Sequence, residues 1–237
     1  MRAIGWRSAA ATGFAVGICM GAILTLAAGP ALAACGTAPG PGVDWSGCRK
    51  PAKFLARMNL SGGQFSGGDL SRTNMKSADL SGARFEKTEL TAAVFVSAKL
   101  VQANFQKAFG SRMFFAKADL ADAMLGKAEL TRADFANARL TNADLRGAQL
   151  PRANFAGADL TGVNAREANL SRAVFSGIAA SGLDLTNSYL YRASFHDADL
   201  SGVIGLTAEQ LRGTCGNAAT QLPEGLTPPE TWPCNGD

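Results

Sequence analysis

Histidine is almost absent from this sequence of 237 residues, and His196 is the only one. That excludes a metal cluster built on several imidazoles. It also leaves any serine nucleophile a single candidate base, next to Asp197 and near Asp199, in a pattern that gives no reason to expect a triad. The plain reading of His196 is a solvated residue among charged neighbours; a hydrolase centred on it is the alternative. No glycine-rich phosphate loop is present. Strong net charge is missing too. There are 23 basic and 19 acidic residues, and removing Arg2 and Arg7, which lie in the leader described next, leaves 21 against 19. A field that weak points to neither a strongly acidic nor a strongly basic partner. Composition thus assigns no catalytic residue, cofactor or metal.

The start of the chain has its own character. Arg2 and Arg7 precede an uncharged run from Ser8 to Ala34 that ends in Ala31-Leu32-Ala33. A basic start, an apolar middle and an A-x-A end describe a secretory signal over 1–33. The run is long enough to span a bilayer, but its Gly and Ala content and the A-x-A end favour cleavage, with no membrane span afterwards. Leu32-Ala33-Ala34-Cys35 also resembles a bacterial lipobox, in which Cys35 carries a lipid anchor. Cysteine arithmetic opposes that reading. Cys19 leaves with the signal, and Cys35, Cys48, Cys215 and Cys234 remain as an even set suited to an oxidising compartment. The expectation is a periplasmic or secreted chain, with a membrane-anchored lipoprotein as the alternative.

From Leu60 to Leu200 a large apolar residue recurs at every fifth position without insertion or deletion. Of 29 such positions, 26 are Leu, Phe or Met. The residue two before is usually Ala, and the residue just before is often Asp or Asn, as at Asp69, Asp79, Asp119, Asp134, Asp144, Asp159 and Asp199. A period of five fits neither 3.6 nor 2, so one helix or one flat strand would scatter these residues over every face. A chain that turns a corner every five residues aims each of them inward.

Units such as Ala78-Asp79-Leu80-Ser81-Gly82 and Ala158-Asp159-Leu160-Thr161-Gly162 resemble the pentapeptide-repeat family. The resemblance implies an all-β fold, a right-handed quadrilateral β-helix with four repeats to a coil. A second period of twenty agrees with that coil size: Phe95, Phe115, Phe135, Phe155, Phe175 and Phe195 form one column, and Leu60, Leu80, Leu100, Leu120, Leu140, Leu160 and Leu200 another. The solenoid is expected over 58–203, about seven coils and roughly 35 Å long. An N-terminal cap is expected over 34–57 and a C-terminal cap over 204–237, because stacked coils expose unpaired backbone at each end. In the second cap Thr207 and Gln210 are spaced as the N-cap and N3 of a short helix. Pairings Cys35–Cys48 and Cys215–Cys234 would staple each cap locally, although four cysteines permit three connectivities. Some family members resemble duplex DNA and protect gyrase from quinolones. This chain departs from that pattern in its export signal and in its 16 basic against 14 acidic residues from Met58 to Val203. No nucleic-acid partner is expected.

Three departures from the repeat concern packing. Ala165 and Ala180 stand where large residues are usual, and the larger Val163 and Ile178 stand two residues before them, an exchange of volume within the repeat. Gly110 is the third. Either Phe109 rolls inward over it, or Phe109, Met113 and Phe114 form an exposed patch for a partner. One polar feature stands out. Arg72, Arg112, Arg132, Arg152, Arg172 and Arg192 share the period of twenty with a single gap at Ala92, and Lys87, Lys107 and Lys127 form a shorter row. Copying of whole coils accounts for such columns. A binding site for an acidic protein or an anionic envelope polymer is the alternative, since stacked like charges repel.

Overall fold

The computed structural model describes residues 35–234. The leader assigned to 1–33 lies outside the described residues. The repeat unit explains itself locally. In Leu80-Ser81-Gly82-Ala83 the Ala83 N–H donates to the Leu80 carbonyl at 3.0 Å, and Gly82 has φ of 65°. A positive φ at the third residue marks a type II turn. The same turn closes almost every repeat, so the third turn residue is left-handed throughout, whether or not it is glycine.

Following the N–H groups of one repeat shows what stacks the coils. Asp79 N–H donates back to the Met58 carbonyl of the preceding coil. Leu80 and Gly82 donate forward to the Lys99 and Val101 carbonyls of the next, and Ala83 closes the turn. Ser81 N–H has no backbone acceptor and takes the Asp79 side-chain oxygen at 3.1 Å. The preference for Asp or Asn before the large residue is therefore a hydrogen-bonding requirement. It recurs at Asp119, Asp134, Asn154, Asp159 and Asp199.

Parallel bridges join residues twenty apart from Asp44 onward. Two positions broaden into three-residue strands, β1 (Phe109–Ser111) and β2 (Glu129–Thr131), paired in parallel. The result is the right-handed quadrilateral β-helix. The column from Asp44 to Ile204 has nine rungs, which at about 4.8 Å each makes a rod of roughly 40 Å. The ladder starts before Met58, the boundary read from the sequence. Trp45 and Leu55 hold the central register and are buried, and Lys50 between them hides the pattern. Its ammonium lies 4.6 Å from the Trp45 ring and donates to the Cys35 carbonyl.

Inside the rod the large residues form columns with essentially no solvent exposure. The rings from Phe95 to Phe175 stack with centroids 4.8–5.2 Å apart and planes within 5°. Coil spacing imposes that separation, and the planes of the neighbouring column, such as Phe105, meet them edge-on. Val163 and Ile178 are buried beside Ala165 and Ala180, which completes the volume exchange.

The C-terminal end departs from the period. Helix α1 (Ala208–Leu211) is inserted with Thr207 as N-cap, and Thr207 and Gln210 form a reciprocal capping box. The insertion lengthens the last pairings to Ser194 with Cys215 and Asp199 with Gln221. Disulfides join Cys35 to Cys48 and Cys215 to Cys234, each with a Cα separation of 5.6 Å. The first uses the sulfur that a lipid anchor on Cys35 would need. Among the described residues no helix is long and apolar enough to cross a membrane.

Candidate binding surface

The arginine column occupies the left-handed turn position. Arg72, Arg112, Arg132, Arg152, Arg172 and Arg192 have φ between 55° and 60°. An L-residue there costs roughly 1–2 kcal/mol relative to the right-handed form. Each of these arginines donates its backbone N–H to the next coil, Arg132 to Pro151 at 3.0 Å and Arg152 to Ser171 at 2.8 Å. Their Cα atoms are thus held one coil apart, about 4.8 Å. Their exposed side chains stand along one corner of the rod, and a shallow groove runs beside Arg112, Arg132 and Arg152, floored by Ser111, Thr131 and Pro151.

Charge pairing separates this corner from the rest of the surface. Arg49, Arg84, Arg139, Arg146, Arg166 and Arg212 each lie within 4.0 Å of a carboxylate, at Asp69, Glu86, Asp119, Asp144, Asp184 and Glu209 respectively. Among the described residues none of the six column arginines has such a partner; the one other described arginine without one is Arg57, also at a turn. Acidic residues along the two flanking faces are Asp69, Glu89, Glu129 and Asp134, and none occurs beyond them toward Arg192. The corner is a line of uncompensated positive charge on a nearly neutral molecule.

The patch anticipated around Gly110 divides. Phe109 and Phe114 are 43% and 42% exposed, on the two faces that meet at the arginine corner, whereas Met113 is fully buried. Met113 is therefore core and not binding surface. A side-chain carbon on Gly110 would lie 2.9 Å from the Met113 sulfur, so Met113 fills the space, and Phe109 does not roll inward. The sequence signal was the large residue at a position where Ala is usual, the same signal that identified Val163 and Ile178.

The acidic positions read as structural are engaged in turns. The Asp79, Asp159 and Asp199 carboxyls are held below the ordinary carboxylate range, chiefly by the Ser81, Thr161 and Ser201 hydroxyls and also by the N–H groups of those residues. His196 accepts from or donates to the Ser194 hydroxyl, Oγ to Nδ1 2.7 Å. The carboxylates beside it are occupied elsewhere: Asp197 accepts from Asn217 and Asp199 from Ser201. Among the described residues no carboxylate orients the imidazole as the third member of a triad would.

Sequence reasoning missed two surface features. The Glu86 carboxylate gathers Ser66, Arg84 and Asn104 across three coils, at 2.6, 2.8 and 2.8 Å. Tyr189 and Tyr191 stand exposed at the C-terminal end; they fall outside the repeat logic, which offers no signal for them.

Comparison with known proteins fits this geometry. No curated protein matches the chain in sequence. Among solved structures, a trypsin-treated variant of QnrB1, a plasmid-mediated fluoroquinolone resistance protein, is 17% identical with a TM-score of 0.52, covering 74% of this chain and 90% of its own. HetL from Nostoc sp. strain PCC 7120, a pentapeptide repeat protein involved in heterocyst differentiation regulation, is 25% identical with a TM-score of 0.26, covering 75% and 88%. A pentapeptide repeat protein of the Arabidopsis thaliana thylakoid lumen is 28% identical with a TM-score of 0.22, covering 60% and 79%. The family model "Pentapeptide repeats" matches in eight copies over 73–109 and, in overlapping segments, 114–204. With over half of the chain matched and the turn, the inward column and the coil of four repeats all in place, this chain belongs to the pentapeptide-repeat family.

Proposed function

We propose that the mature chain works outside the cytoplasm as a non-enzymatic binding rod, and that its arginine corner engages an anionic envelope polymer or an acidic protein face. Pentapeptide-repeat chains are structural and interaction modules. The observation that carries the finer reading is the pairing asymmetry: six column arginines without a carboxylate, against six others that each have one. Two disulfides and the leader support the compartment.

Charge reversal tests the corner. Arg132→Glu with Arg152→Glu is expected to abolish retention on immobilised polyphosphate and polyglutamate, with wild-type binding falling steeply as salt rises. Lys117→Glu with Lys127→Glu makes the same change in net charge at other corners and is expected to bind nearly as wild type. Equal loss in both double variants, or salt-insensitive binding by the wild type, would overturn the proposal. The likeness to QnrB1 supports a second reading as a gyrase-interacting protein. Its test is fluoroquinolone susceptibility of cells that express the mature chain in the cytoplasm. The basic corner is the opposite of the field a mimic of DNA needs, and unchanged susceptibility is the expected result.

A further inference from the structure

The C-terminal coil carries a feature that coil copying does not explain. The chain has two tyrosines, Tyr189 and Tyr191, and both stand here in columns that hold Gln149 and Asn169, or Pro151 and Ser171, in the coils below. Their rings are 57% and 47% exposed, 6.2 Å apart and within 19° of parallel. Neither ring enters the core, so packing does not call for them. Tyr191 forms one wall of a groove whose other walls are Arg212, at the end of α1, and Thr231 and Cys234 of the tail. The far wall is fixed by the Cys215–Cys234 disulfide and by Trp232, whose indole N–H donates to the Thr214 carbonyl at 2.9 Å. Gly213 stands where a further corner arginine would stand; a side-chain carbon there would lie 3.1 Å from the Tyr191 ring, so bare backbone leaves the groove open. Arg192, the last rung of the arginine column, lies 5.6 Å from the Tyr191 centroid and has no carboxylate partner among the described residues.

Two exposed, nearly parallel aromatic rings offer stacking surface to the C–H face of a sugar ring, and the adjoining guanidinium supplies the charge for an acidic substituent. We infer that this groove, with the Tyr189 ring that lies outside it against Tyr191, binds an anionic saccharide, stacked on Tyr191 and Tyr189 with its carboxylate on Arg192. The inference deepens the reading of the arginine corner, since a polymer lying on that corner and gripped at its end would be an acidic glycan, yet the groove stands on its own residues.

The test measures binding of soluble probes by calorimetry: tetragalacturonate, a hyaluronan tetrasaccharide and a muramic-acid disaccharide, with maltotetraose as neutral control and polyphosphate as an anion without sugar. Wild type is expected to bind at least one acidic saccharide and to prefer it over maltotetraose. Tyr189→Ser with Tyr191→Ser is expected to weaken that binding by roughly tenfold or more, leaving polyphosphate binding and melting temperature unchanged. Arg192→Gln is expected to erase the preference for acidic over neutral saccharide. Arg132→Glu with Arg152→Glu is expected to lose polyphosphate while keeping the short saccharide. That last result separates the two ideas: loss of polyphosphate binding alone bears on the corner, and loss of saccharide binding alone bears on the groove. Wild type that binds none of the three acidic saccharides, or a tyrosine variant that binds them as tightly as wild type, overturns the inference.

Discussion

At the scale of the residue, what decides a position is which way it faces at a five-residue corner. Phe135 is fully buried between Phe115 and Phe155 at 4.8 and 5.0 Å, so Phe135→Ala leaves a cavity in a continuous stack and should cost roughly 3–5 kcal/mol. Ser171→Ala at an outward turn should shift the melting temperature little. Equal shifts for the two would contradict the inward assignment. Gly110 gives a sharper case. A methyl group there meets Thr91 N at 2.8 Å and the Leu90 carbonyl carbon at 2.9 Å, backbone atoms of the adjacent coil that cannot move independently. Gly110→Ala should therefore destabilise the rod, and adding Met113→Ala should not rescue it, because the sulfur is only one of the three atoms met. Thermal melts of the single and double variants check this.

At the scale of the element, the unit is a turn with its side-chain cap. Asp79, Asp159 and Asp199 accept hydrogen bonds as carboxylates and have depressed pKa values in the folded chain. A depressed folded pKa contributes stability that is present above the unfolded value, near 3.9, and lost as pH falls through the folded one. The melting temperature should thus hold level from neutral pH to about 5 and fall below about 4. Asn supplies the same acceptor without titrating, as Asn154 and Asn169 already do. Asp79→Asn with Asp159→Asn should keep the neutral melting temperature and flatten the acid limb; an unchanged limb would show that these caps do not govern it. The columns, the coil of twenty and the capping box of α1 were legible in the sequence, because each rests on spacing, whereas spacing left three connectivities open for the four cysteines. The first coil was not legible, since Lys50 breaks the apolar register and its ammonium is held by the Trp45 ring and the Cys35 carbonyl. The unpaired state of the arginine corner was likewise hidden, because pairing depends on which carboxylates share a face once the coil closes.

At the scale of the whole molecule, every bridge from Asp44 to Ile204 joins residues twenty apart, so length is quantised in coils. Deleting residues 121–140 should yield a folded rod about 4.8 Å shorter, with Phe155 stacked on Phe115 and one arginine rung fewer. Deleting only 121–125 sets Phe135 over Gly110 and Leu140 over Phe115 in the columns and moves later arginines to another corner, and should lower the melting temperature far more than the whole-coil deletion. Circular dichroism and thermal melts of the two deletions distinguish these outcomes. The same quantisation makes the arginine corner a vernier. Its charges repeat at about 4.8 Å, whereas side chains on one face of an extended peptide repeat at about 6.6–6.8 Å. The mismatch grows by nearly 2 Å per rung, so a straight acidic strand drifts a whole rung out of step within about three coils. A partner that engages all of the rungs must bring its own negative charges at the pitch of the coil or flex to find it, and a mixture of polyanions should be sorted by charge spacing before it is sorted by charge.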